Sequence, residues 1–261
     1  MVKSGTCRSV TFFRFKACVV MTDKLYWTDM NLKEFDARVI SVQGNEVVLD
    51  RTVFFAIGGG QPNDTGILRN STGDVKVVDV RKAGEDVIHY VEGQVHLEPG
   101  DSVHGVIDWQ RRYAHMRHHS AVHVVDGIVA KRHGKEGLLT GGQLYEDRAR
   151  IDLDMENFSR ETMEKIIGEC NEFIQEGHRI FQRELPREEA LKMENLARTA
   201  PGRELINSLD KVRLIVIEGL DEQADGGTHV SDSREIGKIV LKKIESKGKR
   251  NKRVEFFLEE P

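Results

Sequence analysis

Arg117-His118-His119-Ser120-Ala121-Val122-His123 decides how the chain reads, because the run around it, from Asp108 to Asp126, holds neither Gly nor Pro. Such a run predicts a long helix over Trp109 to Arg132. At about 100° per residue Ala121, Val124, Val125, Ile128 and Val129 share a broad apolar face of it. His119 and His123, four apart, stack on one side of that face, near Arg112 and Asp126, and border the core without filling it. This is metal-ligand spacing. His115 and His119 have the same spacing, so the register stays open between the two pairs.

Upstream of the helix the pattern is strand and turn. Phe35 to Val42 and Glu46 to Asp50 flank Gln43-Gly44-Asn45 and read as a hairpin. Asp74 to Val80, Asp86 to Val91 and Ser102 to Ile107 are further short strands between Gly-bearing turns, and strands at this spacing predict a small closed β-barrel. Inside it sits Gly58-Gly59-Gly60-Gln61-Pro62-Asn63-Asp64. A phosphate-binding loop would continue into Gly-Lys-Ser/Thr and a helix, and this one does neither. Two readings stay open: a loop that needs positive φ angles, or one whose backbone approaches a substrate with Gln61 or Asp64 as a polar handle. The first twenty residues carry basic and apolar residues without an acid, and Arg14 and Lys16 interrupt the apolar core that a secretion signal needs. Residues 1–24 therefore read as an extension, with a strand that does pair as the alternative, 25–107 as the barrel, and 108–261 as a second domain.

Downstream, helix and strand alternate. Leu138 to Leu153 holds two extended stretches, Ser159 to Gln175 is an amphipathic helix capped by Ser159 or Asn157, and Arg179 to Arg183 is a short strand. Val212 to Ile217 is β-branched and reads as a central strand, and Lys238 to Ile244 pairs with Lys252 to Leu258. The fold class is α+β: a small N-terminal barrel followed by an α/β sandwich with helices on an antiparallel sheet. In Asp225-Gly226-Gly227-Thr228-His229 the first and last residues are again four apart, but the Gly pair argues for a tight turn that brings both side chains to one point. Three imidazole nitrogens and one carboxylate oxygen, from His119, His123, His229 and Asp225, suit Zn²⁺ with room for water or substrate. Ser120 stands where a zincin helix has Glu, so no general base is built into the helix.

Composition bounds the rest. The chain has 261 residues, 39% hydrophobic and 31% charged, with a net charge of -4; that excludes coating nucleic acid by bulk charge but leaves local basic patches open. No apolar run approaches the roughly 20 residues of a membrane span. Cys7, Cys18 and Cys170 are odd in number and lack motif spacing, which points to a reducing cytoplasm, with Cys170 as a small core residue.

His119-Ser120-Ala121-Val122-His123 and Gly226-Gly227-Thr228-His229-Val230 resemble the paired HxxxH and CGGTHV motifs of alanyl-tRNA synthetase editing domains, which also occur free-standing as alanyl-tRNA editing proteins. Leu49 to Phe55, followed by the glycine-rich run, resembles the barrel before that domain, and Lys247 to Arg253 its terminal hairpin. The resemblance covers about Tyr26 to Phe257, and the medium-length class fits best. It implies hydrolysis in trans of tRNA(Ala) wrongly charged with serine, and in that class also glycine. The family's zinc ligands carry over to His119, His123 and His229; Asp225 stands where the motif has Cys, and reads either as a weaker ligand or as a residue that only caps the turn. A carboxylate is harder and less electron-donating than a thiolate, so metal affinity falls and water-filled coordination rises. Thr140 matches the family's serine-recognising threonine, a hydroxyl whose unpaired state would reject alanine. With Gln61 it is expected among the catalytic residues, and with Gly58, Gly59 and Gly60 among those that touch substrate.

Two basic clusters are expected to meet tRNA phosphate: Lys242, Lys243, Lys247, Lys249, Arg250, Lys252 and Arg253 at the terminal hairpin, and Arg111, Arg112, Arg117, Lys131 and Arg132 on the long helix. Two rival functions stay open, a non-catalytic module for charged tRNA with Asp225 as the sign of a degenerate metal site, and a zinc hydrolase of small esters or amides. So does the choice between a monomer and a homo-oligomer.

Overall fold

The computed structural model describes residues 21–134, 137–156, 158–193, 196–198 and 200–261. In it the strand-and-turn region closes into a six-stranded antiparallel barrel. Going round, the strands are Glu34–Gln43, Glu46–Leu49, Asp86–Glu92, Gly73–Ala83, Gly66–Asn70 and Ser102–Ile107, which returns to the first. Gln43 pairs with Glu46 across a two-residue turn in which Gly44 takes a φ of 63°, the left-handed conformation a tight hairpin demands. Alternate residues of the first strand point inward, and Phe35, Ala37 and Val39 join Leu49, Phe54, Leu68 and Val103 in one apolar cluster. The barrel is filled by its own side chains.

The extension expected over residues 1–24 gives its last residues to this barrel. Asp23–Lys24 pairs with Arg51–Thr52, and the Thr22 hydroxyl donates to the Leu49 carbonyl at 2.9 Å. Residues 1–20, with Cys7 and Cys18, lie outside the described residues, as does Asn157.

The long helix α1, Trp109–His133, opens on the Asp108 carboxylate, which accepts from the Arg111 N–H, and closes on Gly134 at a φ of 61°. The sequence suggested one apolar face. Instead the helix is enclosed on nearly all sides, burying Arg112, His115, Arg117, His118 and Ser120 together with Met116, Val124 and Val125. It can do so because it runs between the barrel and the C-terminal half and finds polar partners in both. Arg112 pairs with Asp64 of the barrel, and Arg117 donates to the carbonyls of Ile236 and Glu259.

Helix α2, Arg160–Glu176, is capped by Ser159, whose hydroxyl accepts from the Thr162 N–H at 3.0 Å, and it buries Cys170. The antiparallel pairing expected for this half is present in two sheets. One has the order Lys238–Ser246, Asn251–Glu259, Ala149–Asp154, Leu138–Leu144; the other places Lys211–Ile217 between Ile180–Pro186 and Asp221–Ala224. Helix α1 touches both sheets, and Ile151, Leu153 and Val254 from one meet Ile180, Ile215 and Ile217 from the other in a shared core with α1 and α2. Among the described residues no helix is long and apolar enough to cross a membrane.

Candidate metal centre

The two motifs, about a hundred residues apart in sequence, meet. His119 and His123 on α1 and Asp225 and His229 from the turn after the three-stranded sheet bring their ligand atoms within 4.8 Å of one another. His119 Nε2 lies 3.7 Å from Asp225 Oδ1, and His229 Nε2 lies 3.1 Å from Asp225 Oδ2. Zinc bonds of about 2.0–2.2 Å arranged as a tetrahedron set ligand atoms roughly 3.4 Å apart, so the spacing fits a small divalent cation. His115, the alternative partner by spacing, is buried outside the group, with burial first and then Arg111 pushing its imidazole down to about 3.

The donor chemistry fits as well. The Thr228 backbone N–H must donate, and it donates to Gln61 Oε1 at 3.0 Å, while Gln61 Nε2 donates to Thr228 Oγ1 at 2.8 Å. The amide is thereby fixed with its oxygen toward His119 Nδ1, 3.0 Å away. An amide oxygen only accepts, so His119 Nδ1 carries the proton and Nε2 turns a lone pair to the centre. On the other side Ser120 Oγ accepts from the Val230 N–H and lies 3.2 Å from His229 Nδ1, which leaves His229 Nε2 facing Asp225. Burial pushes His119 well below the ordinary imidazole value and His229 down to about 4, so both are neutral at pH 7. Burial alone would raise the Asp225 carboxyl, but the surrounding imidazoles, His119 foremost, hold it well below the usual carboxylate range. Two neutral imidazoles and an ionised carboxylate thus converge, a donor set that favours a cation.

The turn that carries Asp225 and His229 is held from below. Arg213, a buried cation between the apolar Val212 and Leu214, donates to the carbonyls of Asp225 and Gly227, both at 2.9 Å, and burial pushes its guanidinium down to about 10. The Gly pair does not serve a left-handed conformation, since neither Gly226 nor Gly227 has a positive φ. A Cβ on Gly227 would collide with His119 Cε1 and stand 2.5 Å from its Nδ1 and 2.8 Å from Gln61 Oε1. The residue is small so that the imidazole can pass over it.

A cavity of about 170 Å³ opens beside the quartet between Gly59, Gly60, Leu139, Thr140, Gly142 and Ala224. Gly60, at a φ of 86°, packs on the Gly142 carbonyl, 2.6 Å from where a Cβ would sit, and its own carbonyl accepts from the Leu144 N–H. The exposed Thr140 donates its hydroxyl proton to the Asp152 carbonyl at 3.1 Å, leaving oxygen lone pairs as acceptors. Gly58 lies outside this cavity, in a neighbouring cleft. Gln61, expected at the substrate, is instead fully buried behind His119, because both polar atoms of its side chain serve Thr228 and that imidazole. Asp64 is likewise buried, paired with Arg112. The sequence reading missed Ser120, Thr228 and Arg213 as supports; the one signal for the last is a cation inside Val212-Arg213-Leu214-Ile215-Val216-Ile217.

The expected basic clusters are largely compensated. At the terminal hairpin Lys243 and Lys247 share Glu245, Arg250 meets Asp154, Arg253 meets Asp152 at 2.8 Å, and Lys252 turns inward onto Ser246 and Gly248. On α1 Arg112 and Arg117 are interior, Arg111 pairs with Glu146 and Arg132 with Glu169.

Two family models match this chain: that for tRNA synthetases class II (A) over residues 11–111, and that for the threonyl and alanyl tRNA synthetase second additional domain over residues 212–255. The chain is 41% identical over 236 residues to alanyl-tRNA editing protein AlaX-M of Saccharolobus solfataricus, covering 90% of this chain and 98% of the relative. It is 40% identical over 247 residues to AlaX-M of Methanosarcina mazei, 91% of this chain and 97% of the relative. To the alanine–tRNA ligase of Thermococcus kodakarensis it is 39% identical over 225 residues, 86% of this chain but 24% of the ligase.

Proposed function

The chain belongs to the alanyl-tRNA editing proteins, aminoacyl-tRNA deacylases that edit tRNA(Ala), and from that premise we propose that it hydrolyses seryl-tRNA(Ala) and glycyl-tRNA(Ala) in trans with a Zn²⁺ ion held by His119, His123, His229 and Asp225. The convergence of those four side chains, of which His119, His123 and Asp225 line one small cavity, carries the reading. When bound, the ion supplies positive charge against the oxyanion that develops as the ester is cleaved.

The other steps belong to the chain. Gln61 holds the His119 imidazole in the tautomer that faces the ion, and Ser120 positions the His229 ring. The cavity of about 170 Å³ is below the roughly 300 Å³ at which drug-sized sites begin, which suits a small aminoacyl group. Gly59 and Gly60 let the ester approach the quartet past bare backbone. Because the Thr140 proton is engaged with Asp152, its oxygen accepts from the serine hydroxyl. Alanine's methyl would displace water from that oxygen without replacing its hydrogen bond, whereas glycine leaves room for the water to stay.

One assay tests this. Release of the amino acid from seryl-, glycyl- and alanyl-tRNA(Ala) is measured together with the zinc content of the same sample. Serine and glycine are released, alanine is spared by at least ten-fold, zinc is present at about one per chain, and His123→Ala loses at least 10³-fold in rate. Zinc-loaded protein that binds charged tRNA(Ala) and releases nothing would instead be a non-catalytic binding module.

A further inference from the structure

A second, larger cleft, about 420 Å³, adjoins the small cavity and shares Gly59, Ala224 and Asp225 with it. Lys82, at the end of the barrel strand Gly73–Ala83, extends into it until its ammonium stands 3.8 Å from the position of a Cβ on Gly58. Lys24 and Lys82 lie 5.0 and 6.0 Å from the centre of the Trp27 ring, and the indole N–H is fixed on the Gly226 carbonyl at 3.1 Å. Lys24 has a distant partner in Glu85 at 3.8 Å. Lys82 has no carboxylate within ion-pair distance among the described residues, and the charged groups that act on it are Lys24, Asp225 and Glu204. This differs from the terminal hairpin, where most cations meet an acid. Beside them Ile57 leaves half its surface open, an apolar floor for a base or ribose.

We propose that this cleft is the nucleotide subsite of the proposed deacylation, in which Lys82, backed by Lys24, holds the phosphate 5′ of the terminal adenosine while the aminoacyl ester enters the cavity beyond Gly59. The proposal rests on the substrate being a charged tRNA 3′ end. Its geometry is that of one ligand continuous through two compartments with a common wall: the larger takes a nucleoside and its phosphate, the smaller the amino acid. A lysine point charge on a flexible stem is a common phosphate contact, and a cation outside any close ion pair gives up less on meeting a phosphate.

Binding and turnover are tested separately. Adenosine 5′-monophosphate and adenosine are titrated into the full-length protein by calorimetry. The nucleotide binds at least ten-fold more tightly, Lys82→Ala brings the ratio close to one, Lys82→Arg restores it, and Glu204→Gln tightens the nucleotide. In deacylation, Lys82→Ala lowers kcat/KM for seryl-tRNA(Ala), through KM, at least ten-fold more than for 3′-O-seryladenosine, which lacks the phosphate. The salt dependence of its tRNA binding loses about 0.7 in slope. Equal affinity of the wild type for nucleotide and nucleoside overturns the subsite, as does a variant that slows both esters alike. A wild type that binds the nucleotide but releases no amino acid keeps the subsite and sinks the deacylase reading.

Discussion

Two buried polar clusters lie along one face of α1, about two turns apart, and they are built on opposite terms. Around Arg112 the accounts close: its guanidinium donates to Asp64, to the Val53 carbonyl at 2.7 Å and to the Met30 carbonyl at 3.3 Å, while Asp64 also accepts from the Phe55 N–H. Both side chains are fully enclosed, the charges cancel and each donor has an acceptor. Around His119, His123, His229 and Asp225 acceptors outnumber donors: Gln61 turns the His119 proton outward, while Asp225 Oδ2 accepts from the Gly227 N–H at 2.7 Å and lies 3.1 Å from His229 Nε2. Burial and charge are common to both clusters, so neither marks a site. The imbalance of donors and acceptors does.

The closed cluster is where a single change should cost most. Arg112→Met leaves a carboxylate buried without its partner, and the loss in unfolding free energy is expected at about 3–5 kcal/mol, read from denaturant titration. Arg112→Met combined with Asp64→Leu should recover most of that loss, because two apolar side chains ask for nothing from each other. A double variant no better than the single would mean that the pair holds the barrel on α1 in a way apolar packing cannot replace.

The open cluster should respond to an ion rather than to truncation. Zinc at about a hundred times its Kd is expected to raise unfolding free energy by about 2.7 kcal/mol, and a chelator to remove that increment. His123→Ala should abolish the increment while costing the chelated protein less than about 1 kcal/mol. A zinc-dependent rise in Tm that survives His123→Ala would place the ion elsewhere. The response to pH has a definite sign. With His229 lowered to about 4 by burial and about 6.5 in the unfolded chain, the stability its neutral form contributes is complete above pH 6.5 and is lost as pH falls toward 4. Because that imidazole is already neutral in the folded protein, protons on it should not weaken zinc affinity until the pH approaches 4. A midpoint near 6.5 for the His229 imidazole itself, followed by NMR in the zinc-free protein, would show that His229 is solvated.

The sequence carried the outline of both clusters unequally. Helix α1, the Gly44 hairpin and the four-residue spacing of the ligands were legible because each is a local pattern with a period or a turn residue behind it. The supports were not, since Gln61 meets Thr228 across 167 positions and Arg213 lies in a strand that reads as plain core. The pair of glycines at 226–227 was legible as a turn, but the reason for Gly227 is the imbalance in volume with His119, which only the fold creates. The basic hairpin misled for a related reason: the acids that neutralise Arg250 and Arg253 sit at Asp154 and Asp152, about a hundred residues upstream.

Gln61 joins the two halves of the comparison, because it is a closed hydrogen-bond network on one side and the orienting group of the open cluster on the other. Gln61→Ala removes the acceptor that keeps the proton on His119 Nδ1, and zinc affinity should fall about 10–100-fold, the usual effect of losing such a support. Activity should fall in step at limiting zinc and return when zinc is in excess, since no group that touches substrate has been removed. Gln61→Glu is the sharper variant. Its carboxylate can still accept from the Thr228 N–H and from His119 Nδ1, and the Thr228 hydroxyl can reverse and donate to the second oxygen, so the tautomer is kept and zinc affinity should stay near that of the wild type. If Gln61→Glu binds zinc as poorly as Gln61→Ala, the amide acts by packing and not by fixing the proton, and His119 owes its orientation to Gly227 alone.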